Sequence, residues 1–147
     1  MAPSVVVIGS YREDLAGLLG FAGSLSKLGF DVLHPPPEAH AVGEDLGFVR
    51  LDCDRSQDKG SVQRHVFSLI DRADAVIFYS PSGRVGISAA LEIGYSLRAN
   101  KRILATVPPE DPVIGALIDY DPSALLHFLR VAAGAGDSGD HERAFFD

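Results

Sequence analysis

Three short runs constrain this chain more than anything else in it: Ser4 to Gly9 (SVVVIG), Asp74 to Tyr79 (DAVIFY) and Arg102 to Val107 (RILATV). Each is a nearly unbroken series of β-branched, aromatic or aliphatic residues, without the polar–apolar alternation of a strand that has one wet face. A strand of this kind is buried on both sides, so both sides need a cover of helices. The intervening sequence supplies it. Arg12 to Leu28 carries Leu15, Leu18, Leu19, Ala22, Leu25 and Leu28 at three- and four-residue spacing and stops at Gly29, as an amphipathic helix does. Ser61 to Arg72 repeats the pattern with Val62, Val66, Leu69 and Ile70, and Ser88 to Ala99 predicts a third helix.

Between these lie weaker elements. Phe30 to Leu33 predicts a short strand, halted by Pro35, Pro36 and Pro37. Glu38 to Gly60 is polar and irregular, with a short strand at Phe48 to Leu51. Pro108 to Pro112 is a turn region, and helical patterns follow over Val113 to Ile118 and Pro122 to Val131. Strand and helix alternate along the chain, which implies an α/β fold: a three-layer sandwich whose parallel sheet has four to five strands. The 147 residues suit one domain, over 1–131. The rest, 132–147, is rich in Gly, Asp and Ser and is expected to be a mobile tail; its closing Ala-Phe-Phe-Asp holds aromatics that a partner subunit would cover.

Net charge narrows the partners. With 13 basic against 20 acidic side chains the chain carries −7, which argues against nucleic acid as a partner because phosphate backbones are held by clustered Lys and Arg. A small phosphorylated ligand, held by backbone amides and an arginine, stays possible. No run approaches the roughly 20 apolar residues that span a bilayer, so no membrane partner is expected. The start MAPSVVVIGS lacks a basic segment before a long apolar one, and the cytoplasm is the expected compartment. The single cysteine, Cys53, permits no internal disulfide and reads as a small, partly buried apolar residue.

In open parallel sheets, ligands sit beyond the carboxyl ends of the strands, where the strand order reverses. Two loops meet that description: Gly9-Ser10-Tyr11-Arg12 after the first strand, and Pro81 to Ile87 after DAVIFY. In the second, Gly83 and Gly86 bracket Arg84. Glycines admit close approach of a ligand to the backbone, and the helix start that follows is a seat for an anion. A plain strand-to-helix turn also favours glycines. The loop is not a P-loop, lacking Gly-Lys-Ser/Thr, nor a G-x-G-x-x-G fingerprint. Ser10 and Arg12 form the opposite wall, or else cap the helix and face solvent.

Glu92 is the strongest candidate for chemistry. With Ser88 as the natural N-cap, Glu92 falls one residue past the capping-box position, which Leu91 occupies. Ala89, Ile93 and Leu97 place it near the buried side. A carboxylate in a first helical turn is held in its charged form by the dipole, which suits an ionised nucleophile; the same dipole would also welcome an exposed glutamate with no further role. Asp74, at the start of the third strand, reads as a turn residue or a catalytic partner. The acidic run Asp52, Asp54, Ser56, Asp58 fails as a calcium loop, having Gln57 at the glycine position and Gln63 at the glutamate position. The histidines at 34, 40, 65, 127 and 141 show no metal-ligand spacing, and no G-x-S-x-G elbow is present.

GSYR after the first strand, followed by RADAVIFYSPSGRVGISAALEIGYSLRANKRI, resembles the nucleoside 2-deoxyribosyltransferase-like family, which includes 2'-deoxynucleoside 5'-monophosphate N-glycosidases. The likeness runs from Val5 to Val107, and its most specific part is the small-residue loop leading into L-E-I-G-Y, Leu91 to Tyr95. It implies a flavodoxin-like domain, a homodimer or larger oligomer, that cleaves or exchanges an N-glycosidic bond of a nucleoside or nucleotide without a cofactor or metal. It places the nucleophile on Glu92. By the same resemblance Gly9, Ser10, Tyr11 and Arg12 contact the nucleotide, and Ser88 with Ser82, Gly83, Arg84 and Gly86 faces the sugar or its 5' substituent. Two positions depart from the family. Val66 stands where members often carry an aspartate that assists the leaving base, with His65 beside it, and Gly86 stands where Ser or Asp reads the 5' group. His65, Asp71 and Asp74 are the available substitutes. Two rival readings remain: a nucleotide-binding module without turnover, and a phosphoribohydrolase of the lysine-decarboxylase-like type, whose P-G-G-x-G-T-x-x-E loop the sequence PSGRVGISAALE matches poorly.

Overall fold

A computed structural model describes residues 2–118, 120–132 and 134. The buried runs become three neighbouring strands of one sheet. β1 (Ser4–Ile8) pairs in parallel with β2 (Asp31–His34) on one side and with the strand Ala75–Phe78 on the other. Numbered in chain order after a small hairpin, β3 (Ala41–Asp45) and β4 (Phe48–Leu51), that third strand is β5; it pairs in turn with β6 (Arg102–Ala105). The sheet order is β2-β1-β5-β6, all parallel, the flavodoxin-like winding.

Side chains of the central strands alternate between two cores. Val5, Val7, Ala75 and Ile77 face one side, where α1 (Tyr11–Lys27) and α5 (Pro122–Ala132) contribute Leu18, Phe21, Leu25, Leu125 and Leu129. Val6, Ile8, Val76 and Phe78 face the other, against Val66, Leu69 and Ile70 of α2 (Lys59–Arg72), Ala89 and Ile93 of α3 (Ile87–Arg98) and Ile118 of α4 (Pro112–Ile118). All eight strand side chains are essentially inaccessible to water. The helix after β1 thus covers one face and the helix after β5 the other, so the strand order reverses between β1 and β5.

Two regions differ from the sequence reading. Glu38 to Gly60 contains a two-stranded antiparallel hairpin in place of a single strand. All of β3 is exposed, so its residues AVGED carry no buried alternation, and its turn uses Leu46 and Gly47, both at positive φ (51° and 85°). Leucine is rare at such a position, whose usual signature is Asn-Gly or Asp-Gly. Cys53 is exposed, contrary to expectation: Leu51 takes the buried place at the end of β4, and the chain turns there with Asp54 accepting from the Leu51 amide at 2.9 Å. The expected tail at 132–147 lies outside the described residues except for Ala132, the last residue of α5, and Gly134. Among the described residues no helix is long and apolar enough to cross a membrane.

Candidate functional site

The carboxyl ends of β1 and β5 bring both predicted loops together. Gly9 packs on the Tyr79 carbonyl so closely that a β-carbon there would lie 2.4 Å from its oxygen. Ser10 is the N-cap of α1, accepting from the Glu13 amide at 3.3 Å, and Gly86 of the second loop lies against it, a β-carbon at Gly86 falling 3.8 Å from Ser10 Oγ. The hydroxyl of Ser82 donates to the Glu13 carboxylate, a direct tie between the loops. Ser80, which is buried, organises the second loop: its Oγ accepts from the Gly83 amide at 2.9 Å and donates to the Arg84 carbonyl at 3.2 Å. Gly83 sits at φ +84°, and a β-carbon there would fall only 2.4 Å from the Pro108 carbonyl oxygen, so this turn requires glycine.

Glu92 lies on α3 facing inward, 8 % exposed. The expectation for its charge is corrected. Gly86, not Ser88, is the N-cap of α3, Ser88 is exposed within the first turn, and Glu92 falls in the second turn, where the dipole has faded. Burial dominates there: the Glu92 carboxyl is pushed up to about 7, with a hydrogen bond from Gln63 acting the other way. That bond runs from Gln63 Nε2 to Glu92 Oε1 at 3.4 Å. The alternative of an exposed glutamate serving the dipole is excluded by the same burial.

Tyr11 and His34 complete the inner wall. Tyr11 Oη and His34 Nε2 share a hydrogen bond at 2.8 Å. Burial raises the Tyr11 phenol well above its ordinary value, helped by the negative charges of Glu92 and Asp54. Burial lowers His34 to about 4, with His65 adding to the effect. The pair is therefore a phenol and a neutral imidazole at neutral pH. Beside it opens a cavity of about 200 Å³ lined by His34, Asp54, Arg55, Ser61, Val62 and His65, among others. Its walls mix apolar valine with ring and hydroxyl donors, and Gln63 belongs to the same turn of α2.

The remaining candidates divide. His65 is exposed on α2 and lines this cavity. Arg12 is exposed and reaches toward the β3–β4 hairpin, where its Nε lies 3.6 Å from Glu44. Arg84 is exposed on the second loop. Val66 is buried against the core and also lines this cavity, so the position at which the family often carries an aspartate borders the cavity with an apolar side chain. Asp74 is not part of the cleft. It precedes β5 at the opposite, amino-terminal edge of the sheet, where its Oδ2 accepts from the Ser4 amide at 2.7 Å and the Ser4 hydroxyl at 3.2 Å; parallel strands put their two ends on opposite sides, and the carboxyl group there ties strands together. Asp71 accepts from the Tyr95 hydroxyl at 2.7 Å. Sequence reasoning passed over His34, Gln63 and Ser80, although His34 and Ser80 lie at or just past strand carboxyl ends, where ligand contacts concentrate. Among the described residues no group of His, Cys, Asp or Glu is arranged to hold a metal ion. No protein-family profile, curated protein or solved structure matches this chain.

Proposed function

We propose that this cleft cleaves or transfers the N-glycosidic bond of a nucleoside or nucleoside 5'-monophosphate, with Glu92 as nucleophile. The observation that carries the proposal is the Glu92 carboxyl group, nine-tenths buried on α3 and hydrogen-bonded to Gln63 of α2, the helix whose Ser61, Val62, His65 and Val66 line the cavity. The likeness of PSGRVGISAALEIGY to the nucleoside 2-deoxyribosyltransferase-like family supports it. A carboxylate stripped of water is a stronger nucleophile than a hydrated one and attacks an anomeric carbon as the bond to the base breaks, giving a glycosyl ester. Water, or a second base, then displaces Glu92 from the sugar. The valine and ring walls of the cavity suit a flat base, and His65 is the available proton source for it. His34 is held neutral at physiological pH and brings no imidazolium proton. The amides of Gly9 to Arg12 and Ser82 to Ser88, with Arg84, would hold the sugar and its 5' substituent. A homodimeric assembly and a cytoplasmic setting belong to the same proposal; Ile87 and Leu91, exposed at 85 % and 53 % on α3, give an apolar face beside the site.

A binding module without turnover is the second reading, favoured by Val66, an apolar side chain that lines the cavity where a helix carboxylate would assist the leaving base. Incubation with deoxynucleosides, ribonucleosides and their 5'-monophosphates, with chromatography of the free base, separates the two. Base release by the wild type but not by Glu92→Gln or Glu92→Ala is the expected result. A nucleotide that raises the melting temperature while no substrate releases base would establish the module.

A further inference from the structure

We propose that Gln63 is a positioning residue for Glu92: its carboxamide N–H holds Oε1 and leaves Oε2 as the oxygen that reacts. The inference rests on the proposed role of Glu92 as a nucleophile. Its physical basis is the environment of one buried carboxyl group. A carboxylate removed from water needs donors to replace its hydration, and an unpaired one reverts to its protonated form. The donor here is neutral. Gln63 comes from α2, the helix packed beside α3, and reaches Glu92 across the interface at 3.4 Å.

The surroundings make this donor matter. Tyr11 from α1 is within electrostatic range of Glu92, but its hydroxyl is engaged with His34 from the end of β2 at 2.8 Å. His65 on α2 is exposed and acts on His34, and Asp54, ahead of α2, adds negative charge near Tyr11. The hydrogen bond from Gln63 is the contact that favours the ionised Glu92, against the burial that opposes it. A glutamine suits this place because it donates without bringing a charge that would pair with the nucleophile and quench it. It also grips one oxygen only, which fixes the rotation of the carboxylate plane and hence the direction from which an anomeric carbon must be met.

The test uses full-length protein with ¹³C-labelled glutamate, the Glu92 signal being assigned by its loss in Glu92→Gln. The titration midpoint of Glu92 is read in wild type, in Gln63→Met, which keeps the length and removes the donor, and in Gln63→Glu. Gln63→Met is expected to raise the midpoint by about one pH unit, a tenfold shift in the protonation equilibrium, and Gln63→Glu to raise it further. The pH profile of base release should move by the same amount, with kcat falling more than KM changes. Gln63→Asn, which keeps the amide but draws it back, serves if Gln63→Met does not fold, and should give a smaller rise. A midpoint that stays in place or falls in a folded Gln63→Met or Gln63→Asn overturns the inference. Because the titration needs no substrate, a wild-type protein that releases no base from any substrate refutes the catalytic reading separately.

Discussion

The phenol of Tyr79, just past β5, donates to Asp14 Oδ2 at 2.9 Å, and Asp14 Oδ1 accepts from the Gly17 amide at 2.9 Å. Asp14 has left helical geometry (φ −158°, ψ 71°), so α1 is kinked there and Asp14 caps the turn that follows it. One carboxylate thus anchors the start of α1 to the end of β5 and starts the helix a second time. Burial, followed by the bond to Asp14, pushes the Tyr79 hydroxyl up to about 12, so it remains a donor throughout the physiological range.

A side chain at residue 17 would have to displace the Asp14 carboxylate and the Tyr79 hydroxyl. A β-carbon there would lie 2.0 Å from Asp14 Oδ2 and 2.3 Å from Tyr79 Oη. Although alanine is the better helix former, Gly17→Ala is expected to destabilise the protein by about 1–3 kcal/mol through overpacking and loss of the bond. Urea unfolding of Gly17→Ala and Tyr79→Phe measures this. A Gly17→Ala protein as stable as wild type would mean that the Tyr79–Asp14 contact is not formed in solution.

Glu92 and His34 set opposing pH dependences. The folded-state value for Glu92, about 7, lies above the ordinary 4.5; between those pH values the native state holds a proton the unfolded chain has lost, so stability falls as pH rises. For His34, about 4 against 6.5, the unfolded chain holds the extra proton, so stability falls as pH drops. Each slope is at most about 1.4 kcal/mol per pH unit, and between pH 4.5 and 6.5 the two oppose. Wild type should therefore show a nearly level stability there. His34→Gln should expose a decline with rising pH, and Glu92→Gln a rise, each on the order of 2 kcal/mol across the window. Denaturant midpoints measured at half-unit pH steps decide it, and a level profile in both variants would contradict the burial of these groups.

The same Glu92 value sets the acid limb of catalysis. If the carboxylate attacks the sugar, base release under kcat/KM conditions rises with pH and levels off above about 7, since that profile reports the free enzyme. A rate that instead falls through pH 7 would assign Glu92 as an acid, not a nucleophile.

Arg12 tests whether loop one reads charge on the ligand. Its ion pair with Glu44 is exposed, at 65 % and 55 % for the two side chains, so Arg12→Ala should change unfolding stability by no more than about 0.5 kcal/mol. Under the proposed function it should weaken use of a 5'-monophosphate more than use of the matching nucleoside. Equal losses on both would remove Arg12 from phosphate recognition.

The fold was legible because its signals are local and redundant. SVVVIG, DAVIFY and RILATV are apolar on both faces of a strand, and with helical patterns between them such strands form a parallel sheet sandwiched by helices. Of the two readings of Ser10, cap or wall of the ligand site, the structure shows the cap. The hairpin was not legible, since β3 buries nothing and its turn uses Leu46 at positive φ. In the site, the position of Glu92 followed from its helix face, but its charge state did not. The start of α3 moved to Gly86, and desolvation replaced the dipole as the governing influence.

What the sequence determined alone is therefore the layer architecture and the two loops that meet at the reversal of strand order, because periodicity and glycine placement act within a few residues of chain. What only the tertiary structure decided is which side chains share that cleft. Gln63 with Glu92, Tyr11 with His34 and Tyr79 with Asp14 are separated by 29, 23 and 65 residues. Asp74, the first residue of DAVIFY, stands at the far edge of the sheet, bonded to Ser4. Burial and long-range hydrogen bonding fix these pairings, and both depend on how helices pack over strands, which no local pattern records.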